Sequence, residues 1–182
     1  LKKSQISLKD LLPTKSKNTI VKFVLTSAIV AFGAGLIVPL MTRWLDRQYG
    51  VSDAVSGPIL GVANIVIGVA TLAAPPLAKR IGLVKAVVVT QGFSTLFMFA
   101  TPLLPDYLSA SFVYTLRAFL MNMAAPLQNS MLMGLVAEDE RGSASGVSAA
   151  FWRLPNAFST SIGASLIGLG LLATPFFLAG IF

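Results

Sequence analysis

The sequence predicts an all-α integral membrane protein, a polytopic bundle of transmembrane helices. Three observations carry that expectation. First, 55% of the 182 residues are hydrophobic and 12% are charged, whereas an ordinary soluble domain carries about 25% charged residues. Fourteen basic and seven acidic side chains are too few to clothe a soluble surface of this size, so most of the surface must meet lipid. Second, the charges cluster and leave long uncharged stretches, each of which reaches the roughly 20 residues that cross a hydrocarbon core of about 30 Å. Third, Lys and Arg divide unevenly between the two sides that such helices define.

The elements follow in order. Residues 1–22, "LKKSQISLKDLLPTKSKNT" and its continuation, are basic, polar and interrupted by Pro13, which reads as a cytoplasmic linker. Ile6, Leu8, Leu11 and Leu12 would give it an apolar face against anionic headgroups, an attraction of about 1 kcal/mol per Lys; a solvated connector is the plainer alternative. Residues 23–182 form the transmembrane part, with helices expected at about 20–41, 54–78, 84–104, 111–137 and 143–172. In lipid only a helix satisfies its backbone internally along a single span. Thr174 and Pro175 then break the chain, and "FFLAGIF" begins a sixth, truncated helix from 175. A chain that opens on Leu1 and stops within an apolar run reads as a fragment of a longer polytopic protein.

Orientation follows from the basic residues, which accumulate in short cytoplasmic loops. Lys2, Lys3, Lys9, Lys15, Lys17 and Lys22 place the N-terminal segment inside, together with Lys79, Arg80, Lys85 and Arg141, while Arg43 and Arg47 fall outside. The tally is ten against two. Trp44, Tyr49 and Tyr107 lie beside the outer turns, where aromatic rings favour the headgroup level. The expected location is the cell membrane, crossed several times.

The helices differ in content. The third is apolar, with Phe93, Phe97 and Phe99, and reads as a peripheral, lipid-facing helix. The others carry Gly33, Gly35 and Pro39; Gly57, Gly61, Asn64 and Gly68; Arg117, Asn122, Pro126, Gln128 and Asn129; and Trp152, Arg153, Pro155 and Asn156. They read as interior. Small residues four apart, Gly57 with Gly61, Gly142 with Gly146 and Ser159 with Gly163, permit close backbone approach.

An Arg at the centre of a helix costs roughly 2.5–3.5 kcal/mol on insertion scales and turns toward water or a partner. Arg153 lies ten residues into its helix, about 15 Å deep and beyond easy snorkelling. Arg117 lies six residues from the outer end, about 9 Å, where snorkelling competes with an interior role. Gln128, eleven residues on, returns to within about 20° of Arg117 around the helix. Arg153, Arg117, Asn64, Asn122, Gln128 and Asn156 are therefore the candidate substrate-binding or cavity-lining residues. All seven acids fall in the linker or the loops, so no carboxylate stands ready as a mid-membrane proton relay.

Without Cys or His there are no disulfides, thiol nucleophiles, imidazole bases or common zinc sites. No metal or cofactor is expected, and no enzyme activity. Net charge is +7, yet the basic residues sit at one end and between apolar runs rather than along a soluble face, so nucleic acid is not an expected partner.

The stretch "PPLAKRIGLVK" resembles the Gly-x-x-x-Asp-Arg-x-Gly-Arg-Arg turn of the major facilitator superfamily, keeping Arg80 and Gly82 while Pro75 and Lys79 stand where that pattern has Gly and Asp. "AEDERGSASG" is similar to the same family's acidic Arg-Gly loop between helices ten and eleven, with Glu138, Glu140, Arg141 and Gly142 matching. The resemblance spans nearly the whole chain. It implies the C-terminal half of a twelve-helix transporter, with five full helices and the start of a sixth, moving a small solute by alternating access. Its partners would be the N-terminal half, the bilayer, a small-molecule substrate and, where transport is coupled, an ion. Lys79, Arg80, Gly82, Glu140 and Arg141 would make cytoplasmic gating contacts. The alternatives left open are a noncatalytic membrane scaffold or receptor and, with less support, a membrane-embedded enzyme, since no His or deep Lys is present to activate a Ser.

Overall fold

A computed structural model of the chain describes residues 17–182. Most of the linker expected over 1–22, with its apolar Ile6, Leu8, Leu11 and Leu12, lies outside the described residues. Among the described residues the secondary structure is helical, with no strand: α1 (Lys17–Gly35), α2 (Met41–Tyr49), α3 (Asp53–Ile81), α4 (Leu83–Ala100), α5 (Tyr107–Leu135), α6 (Arg141–Gly168) and α7 (Thr174–Ile181). Three stretches are long and apolar enough to cross a membrane: Lys17–Tyr49, Asp53–Ile81 and Leu83–Leu103. The sequence leads to an expectation of five such helices. Helices α5 and α6 have the length, 29 and 28 residues, or just over 40 Å, but Arg117, Asn122, Gln128 and Asn129 in one and Arg153, Asn156 and several serines in the other dilute their apolar character.

The first expected span needs correction. It does not run unbroken to Met41. Pro39 cannot donate a backbone hydrogen bond, and after Gly35 the chain tightens into a short 3₁₀ turn at Val38–Leu40 before resuming as α2. Arg43 and Arg47, expected in a loop, lie on the exposed face of α2, while Met41, Trp44 and Leu45 are buried. That spacing of three and four is an amphipathic stripe. Gly50 ends α2 in the left-handed region at φ 67°, a conformation glycine adopts without the Cβ clash.

The turn after the second span is also shorter than expected. Helix α3 continues through Pro75 and Pro76 to Ile81, and Gly82 alone separates it from α4, at φ 87° and ψ 151°. Helix α5 starts earlier than expected because Asp106 caps it: its carboxylate accepts from the Leu108 and Ser109 amides at 3.0 and 2.9 Å. Those amides and the Ser109 hydroxyl hold the Asp106 carboxyl below its ordinary range, since each bond favours the charged form.

Helix α1 packs along α6, and α5 packs between α3 and α4, with α7 against α1 and α4. The outward faces are apolar: Val62, Ile65, Val69 and Leu72 of α3, Val84, Val88, Phe93 and Leu96 of α4, and Leu154 and Phe158 of α6 are exposed, which suits lipid contact. Phe99 departs from this pattern, stacking on Phe177 of α7.

The α1–α6 crossing is made by small residues. A Cβ on Gly35 would collide with Ser159 and the Asn156 backbone, and one on Gly163 would collide with the Leu36 carbonyl. Across this contact the Asn156 amide donates to the Ala31 carbonyl at 3.2 Å and the Thr160 hydroxyl donates to the Gly35 carbonyl at 3.0 Å. The expected pair of Ser159 with Gly163 is thus a packing contact. Gly57, Gly61, Gly142 and Gly146 face open space instead. Gly163→Val or Gly35→Val should therefore lower the melting temperature of the detergent-solubilised protein, with a loss of about 1–3 kcal/mol for overpacking, while Gly57→Ala and Gly146→Ala should leave it unchanged or raised. Equal melting of all four variants would contradict the crossing.

Candidate functional site

Two polar stripes face each other across the gap between α5 and α6. On α5, Asn122 and Asn129 are seven residues apart with Gln128 beside them, and on α6, Ser145, Ser148 and Trp152 repeat at three and four with Arg153 adjoining. These intervals put each set on one side of its helix. With Phe23 and Ser27 of α1 they enclose a cavity of about 340 Å³. A second recess of about 430 Å³ shares Phe23, Ser27, Gln128 and Trp152 and extends to Lys22 and Gln91.

Arg153 is exposed to this space. Among the described residues it makes no ion pair or side-chain hydrogen bond, so its fork of donors is open to a bound acceptor. Asn122 spends one N–H on the Ala118 carbonyl of its own helix at 2.8 Å. The combination of amides, hydroxyls, one guanidinium and the Trp152 and Phe23 rings can hold a small solute with both polar and apolar parts.

The other candidates separate from this cavity. Gln128 lines it, but Arg117, expected on the same face, opens into a different and smaller space of about 160 Å³ bounded by α1, α4, α5 and α7. Eleven residues of helix set the two about 17 Å apart along the axis, and Met121 borders both spaces. Arg117 is buried with its Nε unpartnered and its Cζ 5.9 Å from the Tyr114 ring centroid. Asn64 is exposed on α3 and donates to the Leu60 carbonyl at 3.0 Å, away from the cavity. The Asn156 amide is committed to Ala31 of α1.

At the basic end, Lys79, Arg80 and Gly82 are exposed around the α3–α4 turn. Glu140 is buried, and Arg141 folds back over its own turn, donating from Nε to the Met133 carbonyl at 3.1 Å and pairing with Glu138 at 3.6 Å. Arg141 thereby joins the end of α5 to the start of α6. No group of three or more metal-ligating side chains comes together among the described residues.

At the opposite end Trp44 forms a seal that sequence reasoning assigned to the headgroup level. Its ring is fully buried, its Nε1 donates to the Leu172 carbonyl at 2.9 Å, and it meets Phe176 at 4.6 Å and Tyr49 at 5.5 Å between centroids. The Tyr49 hydroxyl donates to the Leu104 carbonyl at 2.8 Å. The stripe of Met41, Trp44 and Leu45 was the available signal.

No family model, no curated protein and no solved structure matches this chain.

Because Asn156 ties α6 to α1 rather than lining the cavity, Asn156→Ala should act on stability: a lower melting temperature, by the worth of about 1 kcal/mol for one hydrogen bond. Thermal unfolding followed by fluorescence checks this, and an unchanged midpoint would show the bond to be dispensable.

Proposed function

We propose that the chain is the C-terminal half of a major facilitator-type secondary transporter, which moves a small solute across the cell membrane by alternating access. In this reading α1 with α2, and α3 to α6, are five crossing segments, and α7 begins the sixth. The observation that carries the proposal is the cavity between α1, α5 and α6, where Asn122, Gln128, Asn129 and Arg153 face a shared space on helices whose outward sides are apolar. Polar and charged groups at membrane depth are costly and cluster where solute and water pass. The resemblance of the loops around Arg80 and Arg141 to that superfamily supports the same reading.

Alternating access needs two ends that open in turn. The packed aromatic seal at Trp44 and the exposed Lys79 and Arg80 at the other end suit a half that is closed on one side and gated on the basic side. With no acid facing the cavity among the described residues, the coupling charge comes from the other half or from the solute itself.

Two outcomes test the reading. A Cys placed at Lys85 should react with an impermeant maleimide only after permeabilisation, because the basic end is cytoplasmic; labelling of intact cells would reverse the orientation. In proteoliposomes holding the complete transporter, Arg153→Ala should cut flux of the transported solute at least about tenfold, the worth of one charge-assisted hydrogen bond, with little change in melting temperature. Arg153→Lys should recover part of it, since an ammonium keeps the charge but not the planar fork. Unchanged flux at matched protein amounts would remove Arg153 from the site.

A further inference from the structure

Arg117 presents a different problem from Arg153. It is 7% exposed, its Nε is buried with no hydrogen-bond partner, and among the described residues no carboxylate pairs with it. The acids that are described lie in α2, at helix ends or in turns. The Tyr114 ring, with its centroid 5.9 Å from Cζ, attracts a cation too weakly to replace the water a guanidinium gives up on burial. A permanently charged group in this position is stabilised by an anion.

The space beside it is built to receive one. The cavity of about 160 Å³ is walled by Gln91, Ser94 and Thr95 of α4, Met121 of α5 and Ala179 and Gly180 of α7. The Ser94 hydroxyl donates to the backbone carbonyl of Arg117 itself at 3.2 Å, which fixes the guanidinium-bearing turn against α4. Gln91 and Thr95 make no side-chain hydrogen bond among the described residues, so their donors stand beside an uncompensated cation. The volume equals about five waters at about 30 Å³ each.

We propose that this cavity is an anion site that takes a compact monovalent anion, a carboxylate or a halide, held by Arg117 with Gln91 and Thr95 completing its hydrogen bonds. One cation calls for one negative charge, and the small volume favours a compact anion over a bulky acid. Gln91 also lines the recess that adjoins the α1–α5–α6 cavity, but Arg117 opens only into the smaller space, and binding there does not depend on transport.

The test is binding, read as stabilisation of the purified protein in neutral detergent at constant ionic strength, because a ligand bound only to the folded state raises the midpoint with the logarithm of its concentration once that exceeds the dissociation constant. Chloride and acetate are the probes, with gluconate as a bulkier anion of the same charge. Chloride or acetate should raise the melting temperature with this dependence, and gluconate should do so less. The probe whose effect sets in at the lower concentration identifies the source, acetate pointing to the carboxylate of a solute and chloride to an inorganic ion. Arg117→Gln should abolish the rise, whereas Arg47→Gln, which removes the same charge from the exposed face of α2, should retain it. Should Arg117→Gln fail to fold, Gln91→Leu keeps the guanidinium and should raise the probe concentration needed for a given shift at least about tenfold, the worth of one hydrogen bond to a charged group. An equal response to gluconate, no response to either probe, or an unaltered response in Arg117→Gln or Gln91→Leu would overturn the proposal. Flux plays no part in the measurement, so its failure leaves the transport reading intact, and a protein that transports nothing would still show the site.

Discussion

Between helices in lipid there is little hydrophobic force to drive association, because a lipid tail is as apolar as the side chain it replaces. What holds α1 to α6 is therefore close backbone contact, at Gly35 against Asn156 and Ser159 and at Gly163 against Leu36, reinforced by two interhelical hydrogen bonds. The polar stripe depends on this contact. Arg153 lies on α6 less than one turn before Asn156, and Phe23 and Ser27 lie on α1 before Ala31, so the bond between Asn156 and Ala31 sets the distance across which Ser27 faces the stripe. Without the glycines the helices would separate by at least a methyl group and the cavity would lose its definition.

The two deep arginines open into different spaces. Arg153 is open to its space and keeps much of its hydration there, so its placement costs little until a ligand displaces the water. Arg117 is buried, with its Nε unpartnered. The same residue type thus stands in two physical settings, one open to solvent and one enclosed beside a smaller space. Met121 borders both spaces, and Gln91 lines both the space beside Arg117 and the recess that adjoins the cavity of Arg153.

Much of the fold was legible in the sequence, because runs of uncharged residues and their bounding charges are one-dimensional quantities. The start of α3, the α4 segment and the start of the last helix at Thr174 fall close to where those runs place them, while α6 ends at Gly168 rather than at 172. Asn122, Gln128 and Arg153 could be nominated because polar groups are rare within such runs. Their grouping could not be read, since it depends on which helices are neighbours. Helical phase put Arg117 with Gln128, but phase omits the axial distance, and a different helix packs over each. Gly57 and Gly146 have the spacing of packing glycines, yet spacing does not say whether a partner helix is present. Helix α2 was missed for another reason: its charged residues argued for a loop, and the period of its apolar residues, the better signal, spans little more than one turn.

The aromatic seal and the Arg117 cavity are joined through α7. Phe176 packs on Trp44, and Ala179 and Gly180, one turn further along, form a wall of the cavity. A helical turn advances about 5.4 Å and is stiff, so α7 cannot withdraw Phe176 from Trp44 while leaving Ala179 and Gly180 in place. The bond from Trp44 to the Leu172 carbonyl fixes the segment that leads into α7, and the close fit of Gly180 against the Phe99 ring fixes its far side. In the proposed transporter an opening at Trp44 would therefore change the shape of the space beside Arg117, and an ion filling that space would resist the opening by the difference between its affinities for the two shapes.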